Sequence, residues 1–250
     1  MGSYTRPQLK ADSLRRGLSE NIFAISARDE IESGALDQGF GLTDDFLTFD
    51  DENKWVLTQA TAGTVALDVA AKGGVLLLDC NSTTNNQGVQ IQLGGAAAAS
   101  SYIASAASKI YFEARVKIAD IGSTTCQMFV GLAEVDTSVL ASAANSTANH
   151  IGFEAINTTA MGIHSEKAGS RSSTASVHTV VDDDYVKLGF VVDGLTKITP
   201  YVNGAAQTAI TTNIPIVGMT PTVVCHSSGT TDPIVHVDWL ACYQEEHIAN

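Results

Sequence analysis

The chain has 250 residues, of which 44% are hydrophobic and only 16% are charged, a balance typical of a packed globular domain rather than a disordered one. The formal net charge of −13 disfavours nucleic acid and anionic membrane surfaces as partners, because the field of the protein repels both. The chain has no apolar run near the roughly 20 residues of a membrane span, and residues 22–25 are too short an apolar run for a signal peptide. We therefore expect neither nucleic acid nor a membrane as partner.

Residues 1–54 are predicted to form an N-terminal arm. Residues 1–28 carry five basic and two acidic side chains, whereas residues 29–54 carry nine acidic side chains and one basic one. The first of these segments shows neither sustained alternation nor a long helical stripe. We expect it to become ordered where it lies on another surface, and a disordered, solvated tail is the alternative.

Residues 55–250 are predicted to form a body of short antiparallel strands. The clearest strand is residues 110–118, where apolar residues alternate with polar ones, as in a strand that covers a core with one face. Near the C-terminus the same alternation predicts a shared apolar face for Val235, Val237, Trp239, Ala241 and Tyr243. Further strands are expected at residues 75–78, 89–93, 127–134, 151–156, 185–192, 198–202 and 221–226.

Two turn signals support this interpretation. Asp193-Gly194 and Asn203-Gly204 each follow an alternating segment, and such pairs favour tight hairpins because glycine and asparagine tolerate positive φ. They predict a three-stranded meander over residues 185–211. Residues 94–108 and 138–149 are rich in small side chains and are predicted to be loops or short helices at a sheet rim. The whole pattern predicts an all-β fold, a two-sheet antiparallel sandwich or jelly roll.

The cysteines and acidic runs offer few candidates for a metal site. Cys80, Cys126, Cys225 and Cys242 form no C-x-x-C pair and lie in apolar, strand-like runs, so we expect buried thiols, with disulfides as the alternative. A calcium ion at Asp182, Asp183 and Asp184 is one hypothesis, because clustered carboxylates suit calcium. A solvated charge run is the default interpretation, since consecutive acids point in different directions. We expect no other cofactor.

Three segments carry a resemblance to a known fold family. Residues 185–194 and 201–204 resemble the late hairpins of concanavalin A-like (laminin G-like) jelly rolls, and residues 235–240 look like the last strand of that fold. The resemblance spans roughly residues 55–245. Sandwich-fold glucanases of this kind carry a further Glu after a Glu-x-Asp pair, whereas Glu134 and Asp136 are followed by Thr, Ser, Val and Leu. The acid/base carboxyl that retaining hydrolysis needs is therefore missing from this motif, and we expect no catalytic residues and no enzymatic activity.

A second resemblance concerns biological context. An acidic jelly roll rich in Ala, Thr, Ser and Gly, behind an N-terminal arm, looks like accessory head proteins of tailed bacteriophages. The resemblance implies a non-enzymatic virion protein that decorates or cements the capsid exterior, after assembly in the host cytoplasm. Its partners would be the major capsid protein and further copies of itself in a homo-oligomer. The arm residues expected to make the contact are Arg6, Leu9, Lys10, Leu14, Arg15, Arg16, Leu18, Ile22 and Phe23.

Two alternatives to the virion role stay open from the sequence. The first is a lectin-like carbohydrate-binding module on a virion or cell surface, which would use loops such as residues 138–149. The low aromatic content of 6% gives this module little of the stacking surface that sugar sites often use. The second and less favoured alternative is a glycoside hydrolase.

Overall fold

A computed structural model describes residues 18–19, 21–23, 39–51, 53–60, 62–94, 102–121, 126–135, 139 and 148–245 of the chain. Within these ranges the protein consists of β-strands, and no described helix is long and apolar enough to cross a membrane. The strands are β1 Gly39–Asp44, β2 Trp55–Ala60, β3 Thr64–Leu67, β4 Leu76–Asp79, β5 Gly88–Leu93, β6 Lys109–Ala119, β7 Cys126–Ala133, β8 His150–Thr158, β9 Ala160–Lys167, β10 Ser170–Thr179, β11 Val186–Asp193, β12 Lys197–Val202, β13 Ala205–Ala206, β14 Thr220–His226 and β15 Ile234–Glu245.

Sheet A contains eight of these strands in the order β13-β12-β11-β6-β15-β4-β3, and β1 also pairs with β15. The long strand β15 runs antiparallel to β6 along most of its length. Its other edge pairs first with β4 and then with β1, through Leu240–Glu245. Strand β1 lies before Trp55, where the body is expected to begin, and it is hydrogen-bonded to the last strand of that body.

Sheet B contains the other seven strands in the order β10-β9-β8-β7-β14-β5-β2, all antiparallel to their neighbours. One face of each sheet points into a shared apolar core. In the middle of this core, Phe112 and Phe190 of sheet A stack with ring centroids 4.9 Å apart, and Phe153 of sheet B lies 6.5 Å from Phe190. The expected all-β, two-sheet jelly roll is confirmed.

The predicted meander is also present, as β11, β12 and β13 lie side by side in sheet A. Asn203 and Gly204 connect β12 to β13 with φ angles of 49° and 78°, the left-handed region that this tight turn requires. Gly194, after β11, has a φ of 60°. These turns place β12 and β13 at one edge of sheet A.

The expected single apolar face of β15 was wrong in its second half. The pairing of β15 with β6 shifts register between Val237 and Trp239, so Asp238 is an extra residue in the strand. A bulge of this kind reverses the alternation that follows it. Val235 and Val237 therefore face the core, but Trp239 points to the outer side of sheet A. Leu240 takes the inward position.

Three of the four cysteines are buried free thiols, namely Cys80, Cys225 and Cys242. All three side chains belong to the core between the sheets. Cys126 begins β7, and its side chain lies outside the described part of the chain.

Candidate functional site

The outer face of sheet B is polar, yet it is buried. Strand alternation turns the neighbours of the core residues to this side, which we call the B face. Its polar members are no more than 4% exposed, apart from His164 and Arg171 at the rim. The B face consists of the side chains of Gln90, Gln92, Gln127, Phe129, His150, Glu154, His164, Glu166, Arg171, Thr220, Thr222, Val224 and His226.

A charged cluster occupies the end of the B face formed by β8, β9 and β10. Arg171 binds two carboxylates at once: its Nε lies 2.8 Å from Glu166 Oε2 and its Nη1 lies 3.0 Å from Glu154 Oε2. His150 Nε2 lies 3.0 Å from the other oxygen of Glu154, and His164 Nε2 lies 3.9 Å from Glu154 Oε2. We call these five residues the Glu–Arg–His cluster.

Strand register brings the members of the Glu–Arg–His cluster together. Glu166 of β9 stands opposite His150 of β8 on one side and opposite Arg171 of β10 on the other. Residues directly opposite each other in antiparallel strands share a face, so all three side chains point outward. Glu154 lies four residues beyond His150 on the same face, within reach of the long Arg171 side chain.

Burial and charge shift the pKa values in this cluster in different directions. Burial lowers the pKa of His164 below its ordinary value, and the nearby Arg171 adds to this effect against the opposing effect of Glu154. His164 is therefore a neutral imidazole near pH 7. Burial also disfavours the charge on Arg171, but Glu154 and Glu166 more than offset it and raise the pKa of Arg171. The guanidinium thus keeps its charge and its two carboxylate partners.

The central part of the B face is a network of amides, hydroxyls and an imidazole. Gln92 Nε2 donates a hydrogen bond to Thr222 Oγ1 at 3.0 Å, and Gln127 Oε1 lies 3.0 Å from His226 Nδ1. The buried hydroxyl of Thr220 has no hydrogen-bond partner among the described residues. Buried polar groups normally find partners, so this hydroxyl is an exception among the described residues.

Apolar residues cover part of the B face beside the charged cluster. Phe129, Ala133 and Val224 pack with Val139 and Ala148, which belong to the segment between β7 and β8. Glu134 anchors the base of this segment, because its Oε2 accepts a 2.8 Å hydrogen bond from Asn149 Nδ2. Val139 and Ala148 of the expected carbohydrate-binding loop at residues 138–149 therefore lie at the B face, whereas residues 138 and 140–147 lie outside the described part of the chain.

Gly152 leaves room for the ring of Phe129 on the B face, since a Cβ at Gly152 would lie 2.5 Å from that ring. Gly131 stands opposite Gly152 in β7, and a Cβ there would lie 2.2 Å from the Ile151 carbonyl oxygen. The ring of Phe129 also meets His150 edge to face, with centroids 5.5 Å apart. A buried aromatic ring thus lies next to the charged cluster.

Residues 18–19 and 21–23 of the predicted N-terminal arm lie on the opposite side of the molecule, on the outer face of sheet A. Ile22 and Phe23 are buried there, and Leu18 is half-buried. They pack on an aromatic patch formed by Tyr111, Trp239 and Tyr243. These three expected anchors therefore contact the body of their own chain. The other expected contact residues, Arg6, Leu9, Lys10, Leu14, Arg15 and Arg16, lie outside the described residues.

The remaining candidates from the sequence do not converge on one site. Glu134 lies just after β7, and Asp136 is outside the described residues. Asp183 forms a 2.6 Å ion pair with Lys117, and Asp182 Oδ1 lies 3.3 Å from the backbone nitrogen of Ile121. In the described ranges, no group of three or more His, Cys, Asp or Glu side chains is arranged to hold a metal ion. Calcium at residues 182–184 stays a prediction.

Sequence reasoning missed the Glu–Arg–His cluster. A signal for it was present in β8, where His150, Gly152 and Glu154 alternate with apolar Ile151, Phe153 and others of the core face. That alternation showed which face the polar residues occupy. It did not show that this face is buried or that β9 and β10 add Glu166 and Arg171.

Comparison with solved structures identifies the type of fold. The chain is similar to an endo-1,3-β-glucanase from Streptomyces sioyaensis (12% identity, TM-score 0.55, covering 82% of this chain and 95% of that one). It is also similar to peanut lectin (12% identity, TM-score 0.59, 83% and 97%) and to a family 16 endo-glucanase from Bacteroides ovatus (11% identity, TM-score 0.54, 80% and 98%). No protein-family model and no curated protein sequence matches the chain. These likenesses confirm the concanavalin A-like jelly roll.

The comparisons correct the expectation that the chain is not an enzyme. That expectation rested on a Glu missing from one motif, whereas five of the similar structures are glucanases or other glycoside hydrolases. The fold is therefore shared by glycoside hydrolases and a lectin. None of these structures supports the capsid role.

Proposed function

We propose that the protein binds a carbohydrate and that the B face is the binding surface. The observation that carries this proposal is the partly exposed rim of the B face, where the guanidinium of Arg171 and the imidazole of His164 lie beside the buried carboxylates of Glu154 and Glu166. The rim is the part of the B face that a ligand can reach, and its groups can exchange hydrogen bonds with the ligand. The glucanases and the lectin that share the fold support a carbohydrate as the ligand.

The chemistry of the B face suits a neutral oligosaccharide. Sugar hydroxyls both donate and accept hydrogen bonds; the carboxylate of Glu166 accepts them and the exposed edge of Arg171 donates them. These groups match the hydroxyls that a pyranose presents.

The binding proposal is tested by titrating the full chain with β-glucan oligosaccharides in a calorimeter, with and without calcium. Replacing Arg171→Gln should weaken binding at least about tenfold, the usual effect of losing a charge-assisted hydrogen bond. Arg115→Gln is the matched control, because Arg115 forms a comparable 2.6 Å pair with Asp238 on the outer face of sheet A. Its affinity should equal that of the wild type. Binding that is lost equally in both folded variants, or absent across a glycan array, would overturn the proposal.

Hydrolysis of the bound carbohydrate is the second candidate function, and one observation favours it. Glu154 and Glu166 both contact one guanidinium, so their nearest oxygens are at most about 8 Å apart. Glycosidases place their two carboxyl groups about 5 to 9.5 Å apart, across the bond they cleave. This upper limit overlaps the range that glycoside hydrolysis uses, and both carboxylates lie on one face of the sheet.

The hydrolysis candidate is tested by measuring reducing sugar released from β-glucans. Glu154→Gln and Glu166→Gln should each lower the rate by roughly 100-fold or more, as expected for loss of an acid or base group. Glu245→Gln is the control, since Glu245 Oε1 accepts a 2.6 Å hydrogen bond from the Tyr111 hydroxyl in sheet A, away from the Glu–Arg–His cluster. Equal rates in all three variants would show that neither Glu154 nor Glu166 takes part in the hydrolysis.

Capsid decoration and homo-oligomer formation stay predictions, for which the described residues offer no specific observation. Electron microscopy of native particles tests the first: the chain should be a stoichiometric component of the shell. Its absence from particles would exclude that role and leave the carbohydrate proposal unaffected.

A further inference from the structure

Two cysteines from opposite sheets meet at one end of the core. Cys80 directly follows β4 of sheet A, whereas Cys225 lies in β14 of sheet B. Both side chains are 0% exposed, and Cys80 is close enough to Cys225 to raise the pKa of the Cys225 thiol. The carbonyl oxygen of Pro233 contacts both residues. It accepts hydrogen bonds from the backbone nitrogen of Cys80 at 3.3 Å and from Cys225 Sγ at 3.1 Å.

Polar neighbours hold the Cys80 side chain in this position. Its Sγ lies 3.1 Å from Asp232 Oδ1 and 3.4 Å from the carbonyl oxygen of Ser82. The same oxygen of Asp232 accepts a 2.7 Å hydrogen bond from the backbone nitrogen of Ser82, so the loop before β15 is fixed against the end of β4. The thiol of Cys80 is thereby kept beside Cys225.

The third buried thiol provides a contrast within the same core. Cys242 lies in β15, and its side chain contacts Tyr102. It is as deeply buried as Cys80 and Cys225. Burial alone therefore does not separate Cys80 and Cys225 from Cys242. What separates them is that Cys80 and Cys225 share the carbonyl oxygen of Pro233.

We propose that Cys80 and Cys225 form a disulfide that joins the two sheets when the chain folds in the presence of a disulfide oxidant. The shared carbonyl oxygen of Pro233 keeps the two residues close together, and a disulfide requires their sulfurs to come within about 2 Å of each other. With glutathione disulfide, one cysteine thiolate attacks a glutathione sulfur and expels one glutathione thiolate. The second cysteine thiolate then attacks the protein sulfur of this mixed disulfide and expels the other glutathione thiolate. The two cysteines lose two electrons and two protons, and glutathione disulfide becomes two glutathiones.

The bond is expected to form during folding and not in the folded protein. Burial raises the pKa of the Cys225 thiol, and the adjacent Cys80 raises it further, so little thiolate is present in the native state. A soluble oxidant also cannot reach a side chain that is 0% exposed. In a partly folded chain the thiols are more exposed, so more thiolate is present and the oxidant can reach it.

The experiment refolds the denatured full chain in a glutathione redox buffer and, in parallel, in reduced glutathione alone. A Cys126→Ser background removes the fourth thiol from competition. After free thiols are blocked, intact mass should show the loss of two hydrogens, and peptide mapping should join Cys80 to Cys225. The oxidised protein should unfold at a temperature about 6 to 12 °C higher than the reduced one, since the bond closes a long loop.

Matched variants make the outcome decisive. Cys80→Ser and Cys225→Ser should each abolish the mass loss, whereas Cys242→Ser should retain it. Should a serine variant fail to fold, the peptide map of the parent protein decides the question by itself. A map that shows free Cys80 and Cys225, or a bond to Cys242 in their place, would overturn the proposal.

Discussion

Glu113 shows how one buried carboxylate couples the N-terminal segment to the sheet beneath it. Its side chain is 0% exposed on the outer face of sheet A. The backbone nitrogen of Ser19 donates a 2.9 Å hydrogen bond to Glu113 Oε2, and the Ser19 hydroxyl binds the other oxygen. Lys187 lies 3.9 Å away and also donates to the Ser19 hydroxyl at 2.8 Å. The carboxylate is thus surrounded by donors but withdrawn from water.

Burial outweighs these donors in its effect on the pKa of Glu113. Desolvation raises the pKa of Glu113 above its ordinary value, although Ser19 and Lys187 lower it in part. The folded chain therefore holds a proton more tightly than the unfolded chain does. It follows that the free energy of unfolding decreases as pH rises from the unfolded value, about 4.5, through the higher pKa of the folded state.

The variant Glu113→Gln tests this residue-scale prediction. An uncharged amide keeps an acceptor for Ser19 without the cost of a buried charge, so the pH dependence contributed by this position should disappear. Urea unfolding at a series of pH values from about 4 to 8 measures it, with the difference between variant and wild type as the readout. A difference that is constant over that range would show that Glu113 titrates alike in both states.

At the scale of elements, the N-terminal strap closes an aromatic patch. By the strap we mean Leu18, Ser19, Asn21, Ile22 and Phe23. Phe23 stacks on Tyr111 with ring centroids 5.8 Å apart, and Ile22 lies against the backbone at Gly189. The patch itself exists because the bulge at Asp238 turns Trp239 outward. An exposed aromatic patch of this kind would favour association, and the strap covers it.

Removing residues 1–23 should leave the sandwich folded but less stable. Loss of the buried Ile22 and Phe23 side chains removes about 3 to 6 kcal/mol of favourable burial. Chemical unfolding measures this change. In a Trp55→Phe background, the fluorescence of Trp239 should also shift to longer wavelength because the indole becomes exposed to water. Phe23→Ala is the single-site comparison and should shift the emission in the same direction; an unchanged spectrum in both would show that the strap does not shield Trp239.

Apolar/polar alternation in the sequence predicts some strands correctly and misses others. Strands β6, β11 and β12 follow the expected pattern, because each has one core face and one polar face. Strand β10 was missed, since Ser170–Thr179 is polar on both faces at the sheet edge. Its backbone groups are hydrogen-bonded to β9, and a hydrophobic pattern in the sequence does not predict such pairing. This pairing places Arg171 opposite Glu166 and so brings it into the Glu–Arg–His cluster.

At the scale of the whole molecule, charge opposes compactness. The chain has 27 acidic and 14 basic residues, so at neutral pH the excess carboxylates repel one another. Salt screens this repulsion over about 8 Å at physiological ionic strength. The buried pairs of the Glu–Arg–His cluster are screened far less, because they lie away from solvent.

The melting temperature should therefore rise when sodium chloride is added from about 10 to 150 mM at pH 7.5. Screening of many weak repulsions gives a shift of a few degrees. The same titration near pH 4.7, the isoelectric point of the sequence, is the internal control and should give a smaller shift. A fall in melting temperature at pH 7.5 would show that ion pairs such as Arg171 with Glu166 outweigh the net repulsion.

The amino-acid sequence alone determined the all-β class, the core faces of the clearest strands and the hairpin turns at Gly194 and Asn203-Gly204. These properties depend on neighbours a few residues apart, through side-chain alternation and local backbone φ angles. The tertiary structure decided that Trp239 faces outward, that Arg171 binds both Glu154 and Glu166, and that Cys80 and Cys225 share the carbonyl oxygen of Pro233. Each of these depends on strand register and sheet packing between residues far apart in the chain, which local periodicity does not encode.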